Sequence, residues 1–272
     1  MKNLLSCSNV VVARISGAEH ILLLIDYDGT LTPIVKKPEL ANLSPQVKGC
    51  LQELAENPQL TLGIISGRSL EDLQERMGIN GIIYVGNHGL EIEGPGITYV
   101  NPVAKKTESF LHSLCQDIGR ELAGIKGATI EDKGLTLSLH YRLVDETQLE
   151  ELDKIFYHLI NSPLASGKVK ITPSKKAYDI RPAVDWNKGK AIEFLARRLN
   201  GKLSERGKLL VIFLGDDMSD YDGFRVVDKS EGISIFIGEE SAELKTQYFL
   251  RSPSEVYQFL NMLRKTLKLG DS

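Results

Sequence analysis

The run Ile21-Leu22-Leu23-Leu24-Ile25-Asp26-Tyr27-Asp28-Gly29-Thr30 decides how the rest of the chain is read. Five consecutive apolar residues stop abruptly at a polar turn, the pattern of a strand buried on both faces, and such strands belong to parallel sheets. The same pattern recurs at residues 60–66, 82–86 and 209–215, and more weakly at 232–237. Helical periodicity fills the intervals. Residues 44–56 have Ser44 as a cap, Pro45 at the first helical position and Val47, Leu51, Leu54 and Ala55 on one face. Residues 69–77 precede Gly78, and residues 190–199 place Ile192, Leu195, Ala196 and Leu199 together, with Gly201 where a C-terminal cap would sit. Strand–helix alternation predicts an α/β fold with a Rossmann-like parallel-sheet core and crossover helices.

Residues 106–181 break that rhythm and read as helix, two strands, helix, two strands. The helices fall at 107–122 and 145–160, and the strand pairs at 129–132 with 135–141 and at 168–172 with 177–180. Lys133-Gly134 supplies a short hairpin signal, followed by alternating Leu135, Leu137 and Leu139. The expected organisation is a core made of residues 1–105 and 182–272, with an inserted α+β cap of αββαββ order at 106–181.

Composition narrows the function classes. With 272 residues, 33 Lys and Arg against 36 Asp and Glu, and a net charge of −3, the chain offers no basic tract for a nucleic acid or a membrane surface. Any anionic ligand is met by local groups. Cys7, Cys50 and Cys115 form no C-x-x-C pair, so reduced thiols and a cytoplasmic setting are expected. No stretch approaches the roughly 18 apolar residues of a membrane span. The opening Met1-Lys2-Asn3-Leu4-Leu5-Ser6-Cys7 reads as a helix or tail, and a monomer is expected.

Open α/β sheets bind ligands beyond the carboxyl ends of their strands, so the residues directly after each buried run are the candidates. They are Asp26 and Asp28, then Ser66-Gly67-Arg68, then Asp216-Asp217-Met218-Ser219-Asp220. A spacing of two in extended chain points Asp26 and Asp28 to one side unless the turn at Gly29 intervenes. Carboxylates gathered at one sheet edge repel and call for a cation. Hard oxygen donors without a His or Cys cluster suit Mg²⁺ and argue against zinc. Beside the ion, one carboxylate can attack phosphorus to form an aspartyl phosphate while another protonates the leaving alcohol and then activates water. A hydroxyl such as Ser66 and a lysine would offset charge on the transferring group. Asp222 and Asp228 lack this positional support and read as surface or capping residues, and His20, His112 and His158 as ordinary helix or surface residues.

Asp26-Tyr27-Asp28-Gly29-Thr30-Leu31-Thr32 resembles the first signature of the haloacid dehalogenase superfamily of phosphatases. Ile64-Ile65-Ser66-Gly67-Arg68 is similar to its second motif and Gly215-Asp216-Asp217-Met218-Ser219-Asp220 to its fourth. Arg181-Pro182-Ala183-Val184-Asp185-Trp186-Asn187-Lys188-Gly189 is similar to a stretch of the trehalose-6-phosphate phosphatases, as are Gly86-Asn87-His88-Gly89 and the segments 131–133 and 140–142.

That resemblance implies a Mg²⁺-dependent phosphatase of trehalose 6-phosphate, a phosphorylated disaccharide. Asp26 would be the nucleophile and Asp28 the acid/base. Mg²⁺ would be held by Asp26, the Asp28 backbone carbonyl and Asp216, with Asp217 and Asp220 in support. Ser66 and Lys188 would hold phosphoryl oxygens. The insert would close over the site and read the sugar through Glu131, Lys133, His140, Arg142, Lys176 and Asp179, with His88 and Glu91 facing from the core. The family usually carries Glu where this chain has Asp179, and Thr and Glu where it has Ser219 and Tyr221. These departures leave room for another sugar phosphate, such as sucrose phosphate or glucosylglycerol phosphate. A catalytically silent phosphosugar sensor is the rival from another class.

Overall fold

The structure, a computed structural model, describes residues 1–35, 38–174, 176–201, 203, 208–239 and 246–270. Strands are β1 (Lys2–Asn3), β2 (His20–Asp26), β3 (Leu60–Ile65), β4 (Ile83–Gly86), β5 (Glu91–Gly94), β6 (Ile97–Val100), β7 (Thr129–Asp132), β8 (Leu137–His140), β9 (Val169–Ser174), β10 (Ala177–Pro182), β11 (Leu209–Gly215), β12 (Ile233–Ile237) and β13 (Tyr248–Leu250). Helices are α1 (Ser8–Ser16), α2 (Pro45–Ala55), α3 (Leu70–Met77), α4 (Pro102–Glu121), α5 (Leu149–Ala165), α6 (Lys188–Asn200), α7 (Tyr221–Lys229) and α8 (Pro253–Gly270).

The chain divides into two compact units, residues Met1–Tyr99 with Trp186–Ser272 and residues Val100–Asp185. The smaller one is wider at both ends than the 106–181 read from the sequence. In the larger unit the strands run β1-β13-β12-β11-β2-β3-β4-β5-β6, parallel from β1 through β4, with β5 antiparallel to β4. The opening apolar run explains this arrangement residue by residue. Ile21, Leu23 and Ile25 join a core with Leu51 and Leu54 of α2 and Phe259 and Leu263 of α8. Leu22 and Leu24 join a second core with Ile192 and Leu195 of α6 and Phe224 and Val227 of α7. A strand covered on both faces has no polar side to show, and its first exposed chemistry comes at its carboxyl end.

The smaller unit packs α4 and α5 on one face of the antiparallel sheet β7-β8-β10-β9, through Leu111, Leu114, Ile118, Leu152, Phe156 and Ile160 against Leu137, Leu139 and Ile180. The Tyr178 ring stacks on Phe156 at 4.8 Å between centroids.

Several elements differ from the sequence expectation. Helix α4 starts at Pro102 instead of 107, because the Asn101 side chain accepts from Val103 N and Ala104 N and Pro102 takes the first position. Strand β8 starts at Leu137, since Lys133 N donates to Thr136 O and the chain stays in a turn through residue 136. Gly201 closes α6 in a right-handed conformation, φ −66°, while Gly78 takes the left-handed one, φ 51°. The β5 strand has no counterpart in that reading, and the opening segment forms a two-residue strand followed by α1. Asp222 accepts from Asn187 Nδ2 at 2.7 Å and Asp228 from Ser234 Oγ at 2.6 Å, so both are struts between elements. His20 sits in β2, bonded to Thr61 Oγ1, instead of on a helix.

Candidate active site

Strand β2 ends in buried Asp26, and the chain then reverses: Leu31 N and Thr32 N both donate to Tyr27 O, with Gly29 left-handed at φ +90°. A Cβ on Gly29 would lie 2.1 Å from Asp216 Oδ2, so only glycine lets this turn approach the loop after β11 so closely. In that loop Asp217 caps the 218–220 turn, accepting from Ser219 N at 2.8 Å, and buried Asp220 turns back. Asp220 Oδ2 accepts from Asp216 N at 3.1 Å and Asp217 N at 3.2 Å. Its Oδ1 accepts from Lys188 Nζ at 2.6 Å, and the same Nζ donates to Asp26 Oδ1 at 2.7 Å.

Carboxylate oxygens of Asp26, Asp216 and Asp220 thus gather within 4.8 Å of one another. One buried ammonium faces them. Burial pushes Asp26 well above the usual carboxylate range against the pull of Lys188, and Asp220, Asp216 and Asp217 push the same way. Burial likewise brings Asp220 up to about 6, again against Lys188. Burial works against the Lys188 charge, yet the Asp220 and Asp26 carboxylates hold it above its ordinary range. An oxygen-only donor set with surplus negative charge fits a hard divalent cation such as Mg²⁺. Both Asp220 oxygens already accept hydrogen bonds, which makes it the brace of the loop.

Asp28 departs from the expectation that it points with Asp26. Strand geometry ends at Asp26, so the two-residue alternation no longer applies, and the Asp28 carboxylate meets Arg68 instead: Nε to Oδ2 and Nη2 to Oδ1, both 2.7 Å. Ser66 N donates to Val85 O at 2.9 Å, and Ser66 Oγ accepts from Arg68 N at 3.2 Å, which leaves its O–H as a donor.

Behind this loop lie Asn87 and His88, both left-handed at φ 48° and 57°. Such a pair costs energy and is held by its surroundings. Asn87 N donates to Arg68 O at 2.7 Å and His88 N to Ser66 O at 2.8 Å. The His88 ring packs on Gly67, where a Cβ would come within 2.4 Å of Cε1. Glu91, expected to face a sugar, instead accepts from Asn87 Nδ2 at 2.7 Å and from Leu70 N at 2.9 Å through one oxygen. Sequence reading missed this bracing role; the left-handed pair ahead of it left no pattern to find.

In the smaller unit the sheet face opposite α4 and α5 is polar. Register aligns Glu131, Ser138, Asp179 and Thr172 across four strands. His140 Nε2 lies 3.0 Å from Glu131 Oε2, and Lys133 Nζ donates to Ser138 Oγ at 2.8 Å. Ser138 Oγ in turn donates to Asp179, and Arg181 lies 3.7 Å from the other Asp179 oxygen. Four expected residues, Glu131, Lys133, His140 and Asp179, are therefore brought together. Ser138 and Arg181 were missed, although period-two alternation with His140 and Asp179 marks them. Arg142 and Lys176 are exposed; Lys176 occupies the β9–β10 turn at φ 63°, and its carbonyl accepts from Tyr141 N at 3.2 Å.

Aspartates at the carboxyl ends of a doubly wound parallel sheet, with a serine from the loop after β3 and a buried lysine that opens α6, match the fold of the haloacid dehalogenase superfamily of phosphatases. Comparison with known proteins narrows the class. The family model described as trehalose-phosphatase matches residues 24–254, and the chain belongs to that family. It is 30% identical to a probable trehalose-phosphate phosphatase of Oryza sativa subsp. japonica over 92% of this chain and 67% of that one. It is also 30% identical to trehalose-phosphate phosphatase B of Arabidopsis thaliana, over 94% of this chain and 70% of that one. The fold matches the C-terminal domain of the C. albicans trehalose-6-phosphate phosphatase with a TM-score of 0.79, at 23% identity, covering 94% of this chain and 96% of that one. The chain is an enzyme, a phosphoric monoester hydrolase. Among the described residues, no helix is long and apolar enough to cross a membrane.

Proposed function

We propose that the chain hydrolyses trehalose 6-phosphate to trehalose and phosphate, the last step of trehalose biosynthesis, through an aspartyl-phosphate intermediate. The observation that carries this reading is the Asp26 carboxylate, buried at the end of β2 and aligned by Lys188 at 2.7 Å, within a match to the family from 24 to 254. Asp26 attacks phosphorus as the P–O bond to the sugar breaks, and Asp28 gives its proton to the departing oxygen. Asp28 then takes a proton from water, whose oxygen attacks the aspartyl phosphate, releasing phosphate and restoring Asp26. Ser66 donates its hydroxyl and Lys188 its charge to the phosphoryl oxygens. Mg²⁺, held by Asp26, Asp216 and the Asp28 carbonyl, would supply further charge for those oxygens. Asp217 and Asp220 hold the loop that carries Asp216. Three free thiols, Cys7, Cys50 and Cys115, support a reducing, cytoplasmic setting, and the chain is taken to act as a monomer.

Phosphate release from a panel of sugar phosphates, with and without chelator, tests metal, reaction and sugar together. Trehalose 6-phosphate is expected to turn over at least about tenfold faster than sucrose phosphate or glucosylglycerol phosphate, a difference of about 1.4 kcal/mol. Chelator is expected to abolish release and added Mg²⁺ to restore it. Comparable turnover of several sugars overturns the trehalose assignment; tight binding without any turnover makes the chain a sensor.

The sugar is read by the polar set of the smaller unit: Glu131, Lys133, His140, Arg142, Lys176 and Asp179. Arg142→Ala is expected to lower kcat/KM for the disaccharide phosphate by about 10- to 100-fold, the worth of a charge-assisted hydrogen bond, and for p-nitrophenyl phosphate by less than about twofold. Equal losses on both esters would place Arg142 in the chemistry or the fold.

A further inference from the structure

Arg68 presents two different edges to two different carboxylates. Its Nε and Nη2 form a fork on Asp28, both at 2.7 Å, while Nη1 donates to Asp72 Oδ2 at 2.7 Å. Asp72 lies in the first turn of α3, outside every motif that the sequence singles out. Four residues on, Arg76 Nε reaches the same carboxylate at 2.8 and 2.9 Å. Arg76 Nη1 continues to the carbonyls of Glu39, at 3.2 Å, and Ala41, at 3.4 Å, in the segment that follows the Asp28 turn. Ala41 O also accepts from Tyr27 Oη at 2.8 Å, and the Arg68 guanidinium carbon lies 5.3 Å from the centre of the Tyr27 ring.

Exposure is lowest at the middle of this chain of contacts. The Asp28 side chain is 43% exposed, Asp72 30% and Arg68 only 9%. The half-exposed proton carrier therefore takes its orientation from a buried arginine, and that arginine takes its rotation from Asp72. An arginine guanidinium offers two forked edges, Nε–Nη2 and Nη1–Nη2, and a carboxylate accepts either of them. Asp72 selects between them by engaging Nη1, so that the Nε–Nη2 edge is the one turned to Asp28. Burial pushes the Asp72 carboxyl up, but hydrogen bonds from Arg76 and Arg68 together leave it below its ordinary value, so it is charged at neutral pH.

We propose that Asp72 is a positioning residue for the proton-transfer group Asp28, acting through Arg68. The inference rests on Asp28 as the acid/base of the reading above. Its signature is dependence on the leaving group. An alkoxide-like leaving group needs the proton from Asp28, and an acidic phenol leaves without it. A misplaced acid therefore slows poor leaving groups selectively, while general loosening of the fold slows all of them alike.

The test is kcat/KM for a series of small aryl phosphates of graded phenol acidity, for the native chain, Asp72→Asn, Asp72→Glu and Asp28→Asn. Asp72→Asn is expected to lose about tenfold on the least acidic phenol and less than about twofold on the most acidic, with Asp72→Glu recovering most of the loss. Uniform loss, or no loss, for Asp72→Asn beside a steep dependence for Asp28→Asn overturns the inference alone. A flat response of Asp28→Asn itself overturns the acid/base reading. If Asp72→Asn fails to fold by circular dichroism, Arg76→Gln is measured on the same series, and selective or uniform loss decides the question in the same way.

Discussion

Asp26→Asn is expected to lower phosphate release by about 10⁴-fold or more, about 5.4 kcal/mol of transition-state stabilisation, while raising thermal stability at neutral pH. The two effects share one cause. Asp26 is an anion buried among Asp216, Asp217 and Asp220 with Lys188 as counter-charge, and burial pushes its carboxyl well up. A group raised in the folded state contributes stability below its unfolded pKa and loses that contribution as pH climbs through the folded value. The charged form of Asp26 that the chemistry needs is therefore costly to hold in the folded chain. Asparagine removes the charge, keeps an oxygen for the Lys188 hydrogen bond and leaves Lys188 paired with Asp220 at 2.6 Å. Thermal denaturation in chelator, native against variant, reads the stability; single-turnover phosphate release reads the chemistry. A variant that melts lower and retains appreciable turnover would remove Asp26 from the nucleophile's role.

That chemistry stood in the sequence because of where it sits. A run such as Leu22-Leu23-Leu24-Ile25 has one structural solution, a strand covered on both faces, and the sheet rule then directs attention to the next polar residue, Asp26. Ser66, Asp216 and Asp220 follow from the same rule applied to β3 and β11. Lys188 does not, because it opens a helix; only the string around it pointed to it. The partners of Asp28 were also out of reach. Periodicity in β2 says nothing past the strand's end, and the fork from Arg68 depends on a turn whose shape is set by Gly29 against Asp216. Glu91 and Asp72 were hidden for a related reason. Each acts on a backbone or side chain brought near by tertiary packing, and a lone acidic residue at the start of a strand, as Glu91 is, or of a helix, as Asp72 is, carries no periodic signal. In the smaller unit the polar face was legible as alternation along β8 and β10, but not which side chains meet across strands, since register is a property of pairing.

Lys188→Met should do the reverse of Asp26→Asn to stability and the same to rate. Methionine fills the buried space of the lysine stem, but Asp26 and Asp220 lose the ammonium that lies within 2.7 Å of both. Removing one partner of a buried ion pair costs about 3–5 kcal/mol. For a chain of this size that is a drop of roughly 10 °C in melting temperature at neutral pH. The sign of the pH dependence follows from the same charges. Lys188 holds down both carboxyls, Asp220 standing at about 6 even with its help, so without the lysine they take up protons at still higher pH. Protonation removes the unpaired charge, and the stability gap between native chain and variant is expected to narrow as pH is lowered from 8 toward 5. Activity is expected to fall by about 10²–10³-fold, the scale of losing one preorganised group at the developing charge. Melting curves across that pH range, in chelator, check the argument directly. A gap that stays constant, or widens on acidification, would mean that Lys188 stabilises the chain by packing its stem instead of by pairing its charge.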